Sequence, residues 1–232
     1  IRARHEVDLS FRVGGKIAAR LVDTGAEIKA GQPLARLDPN DLELASAAAR
    51  AQLSAAESDH ATARTERERH AGLLAQKFVS QAAFDAKNNA FNSATARLEQ
   101  ARSQSRISGN QATYGTLTSE VPAVVTAIIA DTGQVVSAGQ AVLRIARPDE
   151  KEVAIAIPES RLAELKATKN LLVNLWADPK LALRGELREL SPAADPATRT
   201  YAARIRILNP PPDVRLGMTA RVALEGASEA GL

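Results

Sequence analysis

Two acidic triplets are the residues of this chain best suited to bond-breaking chemistry. Asp23-Thr24-Gly25 and Asp131-Thr132-Gly133 each place a carboxylate before a glycine. Two such carboxylates brought together could share one proton, one acting as acid and the other as base on an attacking water. The alternative is architectural, since Asp and Gly are also the residues that tight turns require. The choice depends on what surrounds them. Val22–Asp38 aligns without gaps on Ala130–Ala146, and Asp-Thr-Gly, Ala-Gly-Gln and an arginine (Arg36, Arg144) recur at one offset. A repeat of that extent implies a pseudo-symmetric β-module whose two halves meet in space.

Three features favour the turn over an aspartic protease. The identity runs on into Ala-Gly-Gln, which a carboxylate dyad does not need. The second triplet follows Ala130 and precedes Gln134. A long helical segment between the halves suits a β-rich protease poorly. Other chemistry is sparse. His5, His60 and His70 are scattered, with no pair one helical turn apart, so they predict no metal site. There is no cysteine, hence neither a disulfide framework nor a thiolate site. No glycine-rich phosphate loop or nucleophile elbow is present, and no cofactor is expected.

The elements that must hold these residues follow from pattern. Aromatics make up only 3% of 232 residues, which suits small or elongated modules better than one large core. A formal charge of +3, with both signs interspersed, gives no nucleic-acid signature. No stretch approaches the roughly 20 apolar residues that span a bilayer. Beginning at Ile1, the chain reads as part of a longer polypeptide whose targeting segment lies outside it. Val7, Leu9, Phe11 and Val13 alternate with other residues as in a half-buried strand. Asp38-Pro39-Asn40-Asp41 then starts a helix. Leu42, Ala49, Ala56 and Ala63 follow at sevenfold spacing, and Phe84, Phe91 and Leu98, with Ala94 and Ala101, repeat it in a second helix from Ser80. This pattern predicts an antiparallel coiled coil, with Phe91 buried against small residues and arms of about 45 Å. Ser108-Gly109-Asn110 is the expected end of the second helix. β-runs resume from Thr116 to Ala146. Strands at Glu152–Ile157, Leu171–Leu175, Gly185–Leu190, Tyr201–Ile207 and Thr219–Leu224, with a helix at Glu159–Lys166, predict a small closed barrel. The fold class is therefore α+β and mostly β.

The half-motifs resemble those of biotinyl and lipoyl carrier domains, but no Met-Lys-Met or Asp-Lys-Ala is present, and Lys77 and Lys87 read as solvated helix residues. The resemblance implies the carrier fold without its biotin or lipoate. The order of parts resembles the periplasmic adaptor (membrane fusion) proteins of tripartite efflux pumps that serve resistance-nodulation-division (RND) transporters. Leu190-Ser191-Pro192-Ala193-Ala194-Asp195-Pro196-Ala197-Thr198-Arg199-Thr200-Tyr201 and Leu216-Gly217-Met218-Thr219-Ala220-Arg221-Val222 are the most specific stretches, with Leu37-Asp38 as the exit into the helices. The implied domains are residues 1–37 (first half of a lipoyl-like domain, its first residues able to pair with the barrel), 38–110 (α-hairpin), 111–147 (second half), 148–226 (β-barrel) and 227–232 (start of a membrane-proximal region). Arg69, Leu73 and Ser80 match the spacing of the family's hairpin tip, which implies docking to an outer-membrane channel; Ser80 also reads as a helix cap. The resemblance further implies a non-enzymatic, homo-oligomeric adaptor in the periplasm, anchored to the inner membrane by an N-terminal segment outside this chain, and bridging an inner-membrane RND transporter to the channel. The alternatives are an adaptor of an ABC or major-facilitator exporter, a carrier-like enzyme subunit, and a protease using Asp23 and Asp131.

Overall fold

The computed structural model describes residues 1–168, 171–178 and 181–224. The strands are β1 (Arg2–Ala3), β2 (Glu6–Ser10), β3 (Gly15–Arg20), β4 (Glu27–Ile28), β5 (Pro33–Leu37), β6 (Thr116–Thr118), β7 (Ala123–Ile128), β8 (Val135–Val136), β9 (Ala141–Ala146), β10 (Lys151–Pro158), β11 (Leu171–Leu175), β12 (Ala182–Leu190), β13 (Thr200–Ile207) and β14 (Ala220–Leu224). The helices are α1 (Asn40–Ala75), α2 (Gln81–Tyr114) and the short α3 (Leu162–Ala167), which follows a 3₁₀ turn at Glu159–Arg161.

The two copies of the repeat fold into one module. Its four-stranded sheets run β2-β9-β7-β4 and β6-β5-β3-β8. The backbone hydrogen bonds of the turns and short strands that join the halves recur in pairs at the 108-residue offset between Asp23 and Asp131, with the halves exchanged. Gly25 N–H donates to Val125 O and Gly133 N–H to Ile17 O, both at 2.8 Å. Gly31 N–H donates to Ser119 O, and Gly139 N–H to Phe11 O. Pairing of Gly15 with Val136 mirrors that of Ala123 with Ile28. The four turn glycines have φ between 77° and 90°, a left-handed conformation that side chains resist. Between the sheets lies a core of Phe11, Ile17, Leu34, Leu37, Val125, Val142, Leu143 and Ile145.

α1 and α2 leave this module after Leu37 and return at Thr116. Asp38 Oδ1 accepts from the Asn40 N–H and side-chain amide at the start of α1. The helices run antiparallel, because Glu66 meets Lys87 and His60 meets Phe91 across the pair. Ala56, Leu98 and Ala101 are buried between them, with Leu53 packed alongside. α2 continues past Ser108-Gly109-Asn110, where its end was expected, to a Gly115 cap. A mid-helix glycine costs about 1 kcal/mol relative to alanine. Ser108 is buried in the same stripe as Leu98 and Ala101, and packing there overrides the local stop signal. Phe91 also departs from expectation. It is half-buried and lies between the His60 ring (centroids 5.1 Å apart) and the Arg67 guanidinium (4.4 Å), rather than against alanines alone.

The last strands form a six-stranded sheet, ordered β1-β10-β13-β12-β11-β14. Its edges meet: Gly217 N–H donates to Ile1 O at 2.9 Å, and the Ile1 backbone nitrogen donates to Met218 O. Val153, Leu171, Val173, Ile205, Ile207 and Val214 fill the interior. Gly185 is obligatory there, since a Cβ would come within 2.7 Å of Ile205 Cγ2. On the outer face Glu152 is almost fully buried, and it accepts from Arg188 Nε at 3.0 Å and Arg204 Nη1 at 2.8 Å. The module and the barrel are joined by two antiparallel chain segments. Arg147 N–H donates to His5 O and Arg4 N–H to Glu150 O, and the Arg4 and Glu150 side chains form an ion pair beside them.

Candidate functional site

Asp23 and Asp131 do come together, but around a cation. Arg20 Nη1 donates to Asp23 Oδ1 at 2.6 Å, and its Nε donates to Asp131 Oδ1 at 3.0 Å. The two carboxylate side chains are 86% and 64% exposed. The Thr132 N–H and then the Arg20 guanidinium hold the Asp131 carboxyl below its usual range. A proton-sharing dyad needs one carboxylic acid raised toward neutral pH by burial and by its neighbour's charge. An arginine between two solvated carboxylates does the opposite, so the protease reading of Asp23 and Asp131 is overturned. Both triplets are turns: Asp23 O accepts from Ala26 N–H, and Asp131 O from Gln134 N–H.

The histidines are likewise accounted for. His60 stacks on Phe91, His70 Nδ1 lies 2.9 Å from Glu66 O, and His5 contributes its carbonyl to the joint between module and barrel. Among the described residues, no cluster of three or more His, Cys, Asp or Glu is placed to hold a metal. No helix there is long and apolar enough to cross a membrane.

The remaining candidates lie at the turn between α1 and α2. This turn is closed from both sides. Phe78 N–H donates to Leu73 O and Lys77 N–H to Leu74 O, both at 2.9 Å, with Lys77 left-handed at φ 62°. That is a Schellman cap, which satisfies the last carbonyls of α1 without a glycine. Ser80 caps α2, its Oγ accepting from Ala83 N–H at 3.3 Å. A cap uses only an acceptor lone pair, so the hydroxyl can still donate. Arg69 is exposed and donates from Nη1 to Glu66 Oε1 at 3.0 Å. Glu66 Oε2 lies 3.3 Å from Lys87 Nζ, which ties the helices together just below the turn. The hydrogen bond from Lys87, and then the Arg69 charge, keep the Glu66 carboxyl below its ordinary value. Leu73 is half-buried, so it is partly committed to the helix pair. The apolar group that projects from the turn is Phe78, 72% exposed. Heptad spacing does not pick it out, and its signal in the sequence is that of an aromatic inside a five-residue connection, off the sevenfold pattern.

A helix pair rising from a two-fold β-module, with a barrel behind it, is also what known proteins show. The family model described as the RND MFP barrel-sandwich hybrid domain matches residues 5–146, helices included. The chain belongs to the RND MFP family. A second family model, the CusB-like β-barrel domain, matches residues 153–228. Multidrug resistance protein MdtA of Escherichia coli is 26% identical over 217 residues, which cover 90% of this chain and 52% of MdtA. MdtA of Pantoea ananatis is 25% identical, with 53% of its length covered. The RND MFP chain thus spans about half the length of these relatives. A MacA–MexA chimeric protein carrying the MexA α-hairpin domain of Pseudomonas aeruginosa shares the fold, with a TM-score of 0.64 and 26% identity over 95% of this chain and 77% of its own. ZneB of Cupriavidus metallidurans matches at TM-score 0.67 and 21% identity, over 96% of this chain and 94% of its own, a likeness of fold alone.

Proposed function

We propose that this RND MFP chain is the central part of a non-enzymatic periplasmic adaptor, which links an inner-membrane RND transporter to an outer-membrane channel for the efflux of drugs or other toxic compounds. In this reading the β-module is a split lipoyl-like domain over residues 1–37 and 111–147. The inserted helices form an antiparallel coiled-coil hairpin, and residues 148–226 are the barrel domain, of which 225 and 226 lie outside the described residues, as does the membrane-proximal region expected from 227. An inner-membrane anchor belongs to a part of the protein outside this chain, and several copies stand side by side in the assembled pump. The observation that carries the reading is the closed, exposed turn of a helix pair borne on a family-matched module. The CusB-like match of the barrel favours an RND partner over an ABC or major-facilitator transporter.

At the tip, Arg69 supplies a guanidinium for backbone carbonyls or a carboxylate on the channel, Leu73 an apolar shoulder, and Ser80 a small donor that permits close approach. Arg69→Asp puts a carboxylate three residues from Glu66, where the native arginine forms an ion pair. Such a like-charge helix pair costs only a few tenths of a kcal/mol. The expected result is loss of efflux at unchanged protein level, with a melting temperature within a few degrees of the parent. Arg69→Gln, which adds no repulsion, should lie between the two. If both variants export normally at normal expression, the tip assignment is wrong. If melting falls sharply with efflux for both, Arg69 is a structural residue.

A further inference from the structure

Two large apolar side chains of the helix pair face away from its seam. Leu44 of α1 is 68% exposed and Ile107 of α2 is 51% exposed. Leu44 precedes the inward-packed Leu53 by nine residues, and Ile107 follows the buried Leu98 by nine. At 3.6 residues per turn, nine residues are half a turn out of phase, roughly 180°. Leu44 therefore lies on one outer edge of the two-helix ribbon and Ile107 on the other. They also lie at the same height. The antiparallel contacts of Glu66 with Lys87 and of His60 with Phe91 set a register that, carried down the pair, brings the level of Leu44 to that of Ile107.

The two edges differ in charge. Exposed Asp41 and Glu43 flank Leu44, whereas exposed Arg106 adjoins Ile107. One and two turns beyond Leu44 the same edge of α1 carries the exposed Ala47, Ala48 and Ala51, so a neighbouring helix can approach closely. Each edge is thus an apolar contact with a charged border, and the borders are complementary. An edge bearing acid cannot face its own copy without repulsion, but it can face the other edge of a second copy.

We propose that the Leu44 edge of one copy packs against the Ile107 edge of the next. The contact joins unlike surfaces and leaves one of each free on the outer copies, so it is heterologous and adds copies until a ring closes. Equal height means that rotation alone, without a step along the helices, relates neighbours. The inference deepens the side-by-side assembly of the preceding reading and supplies the surfaces for it.

The chain has no cysteine, so introduced thiols report without background. Leu44→Cys, Ile107→Cys and the double variant are made in the full-length protein and oxidised in cells with copper-phenanthroline. Because the two positions lie on opposite edges of one copy, the double variant has no internal disulfide to form. It should give a ladder of dimer, trimer and higher species, and the two single variants made together should give a linked dimer that neither gives alone. This mixture also provides the answer should the double variant fold poorly. Absence of the mixed dimer overturns the proposal, as does a Leu44→Cys protein that dimerises with itself equally well, or a link to a different protein in place of a second copy. The Arg69 variants test docking to the channel separately, so efflux lost with Arg69→Asp but no mixed dimer rejects these edges and leaves the adaptor standing. A mixed dimer with unaffected Arg69 variants does the reverse.

Discussion

Arg20 has no counterpart in the second copy of the repeat, where Ile128 stands. One guanidinium therefore serves both triplets, and the symmetry of the backbone is broken by a single side chain that joins the halves. The depressed Asp131 carboxyl favours the folded state above the ordinary aspartate range, and that contribution is lost as pH falls through its folded value. In a carboxyl-carbon NMR titration Asp131 should titrate below an unstructured aspartate. Arg20→Ala should move it part of the way back, because the Thr132 N–H remains. An Asp131 that titrates at or above the ordinary value would remove the staple. Lys77 offers a second residue-scale test. Its left-handed backbone closes the tip with a residue that prefers not to adopt it. Lys77→Gly should raise stability by about 0.5–1 kcal/mol in chemical denaturation.

At the scale of elements, the seam of the helix pair is mixed in character. Near the module it is built of Ala49, Ala56, Leu98 and Ala101, whereas towards the tip it contains His60, Arg67, Glu66 and Lys87. Leu98→Ala removes buried methyl groups and should cost about 2–4 kcal/mol. Phe91→Ala loses a half-buried ring with its histidine and arginine neighbours, and should cost less, about 1–2 kcal/mol. Thermal or urea unfolding of the two variants decides the order, and a larger loss at Phe91 would contradict a seam that becomes wetter towards the tip. The Glu66–Lys87 link belongs to the same region. Its carboxyl is held down by partners on both sides, so acid should loosen the outer half of the pair first, and amide exchange should rise near Glu66 as pH falls through the folded value.

At the scale of the whole molecule, residues 1–4 do work far from their place in the sequence. β1 pairs with β10, and Ile1 bonds to Gly217 and Met218, so the opening residues close a barrel that is otherwise built from residues 151 onward. Replacing residues 1–4 with a Gly-Ser stretch removes the Ile1 side chain packed on the barrel core, the buried Ala3 methyl and the Arg4–Glu150 ion pair, and adds chain entropy; it should lower the stability of the barrel by on the order of 2–4 kcal/mol. The β-module core, which these residues do not enter, should melt as before. Calorimetry that shows both transitions shifting together would mean that module and barrel unfold as one unit.

The repeat, the change of hydrophobic period at Asp38 and the strand spacing after Pro148 were enough to give the order of elements. Each is a local pattern that burial enforces on any fold the chain adopts. The same logic reached the turns at Asp23 and Asp131, because the two halves must satisfy the same backbone geometry. The extension of α2 through Gly109 was not legible, since a glycine in a helix is decided by what the neighbouring Ser108 packs against. Nor was the setting of Phe91, which depends on side chains of the other helix arriving at one level. The exposure of Phe78 and the opposite edges marked by Leu44 and Ile107 were equally out of reach of spacing alone. Sevenfold periodicity says which residues face a seam, but only the packed register of two helices decides which outer residues share a height and which charges border them.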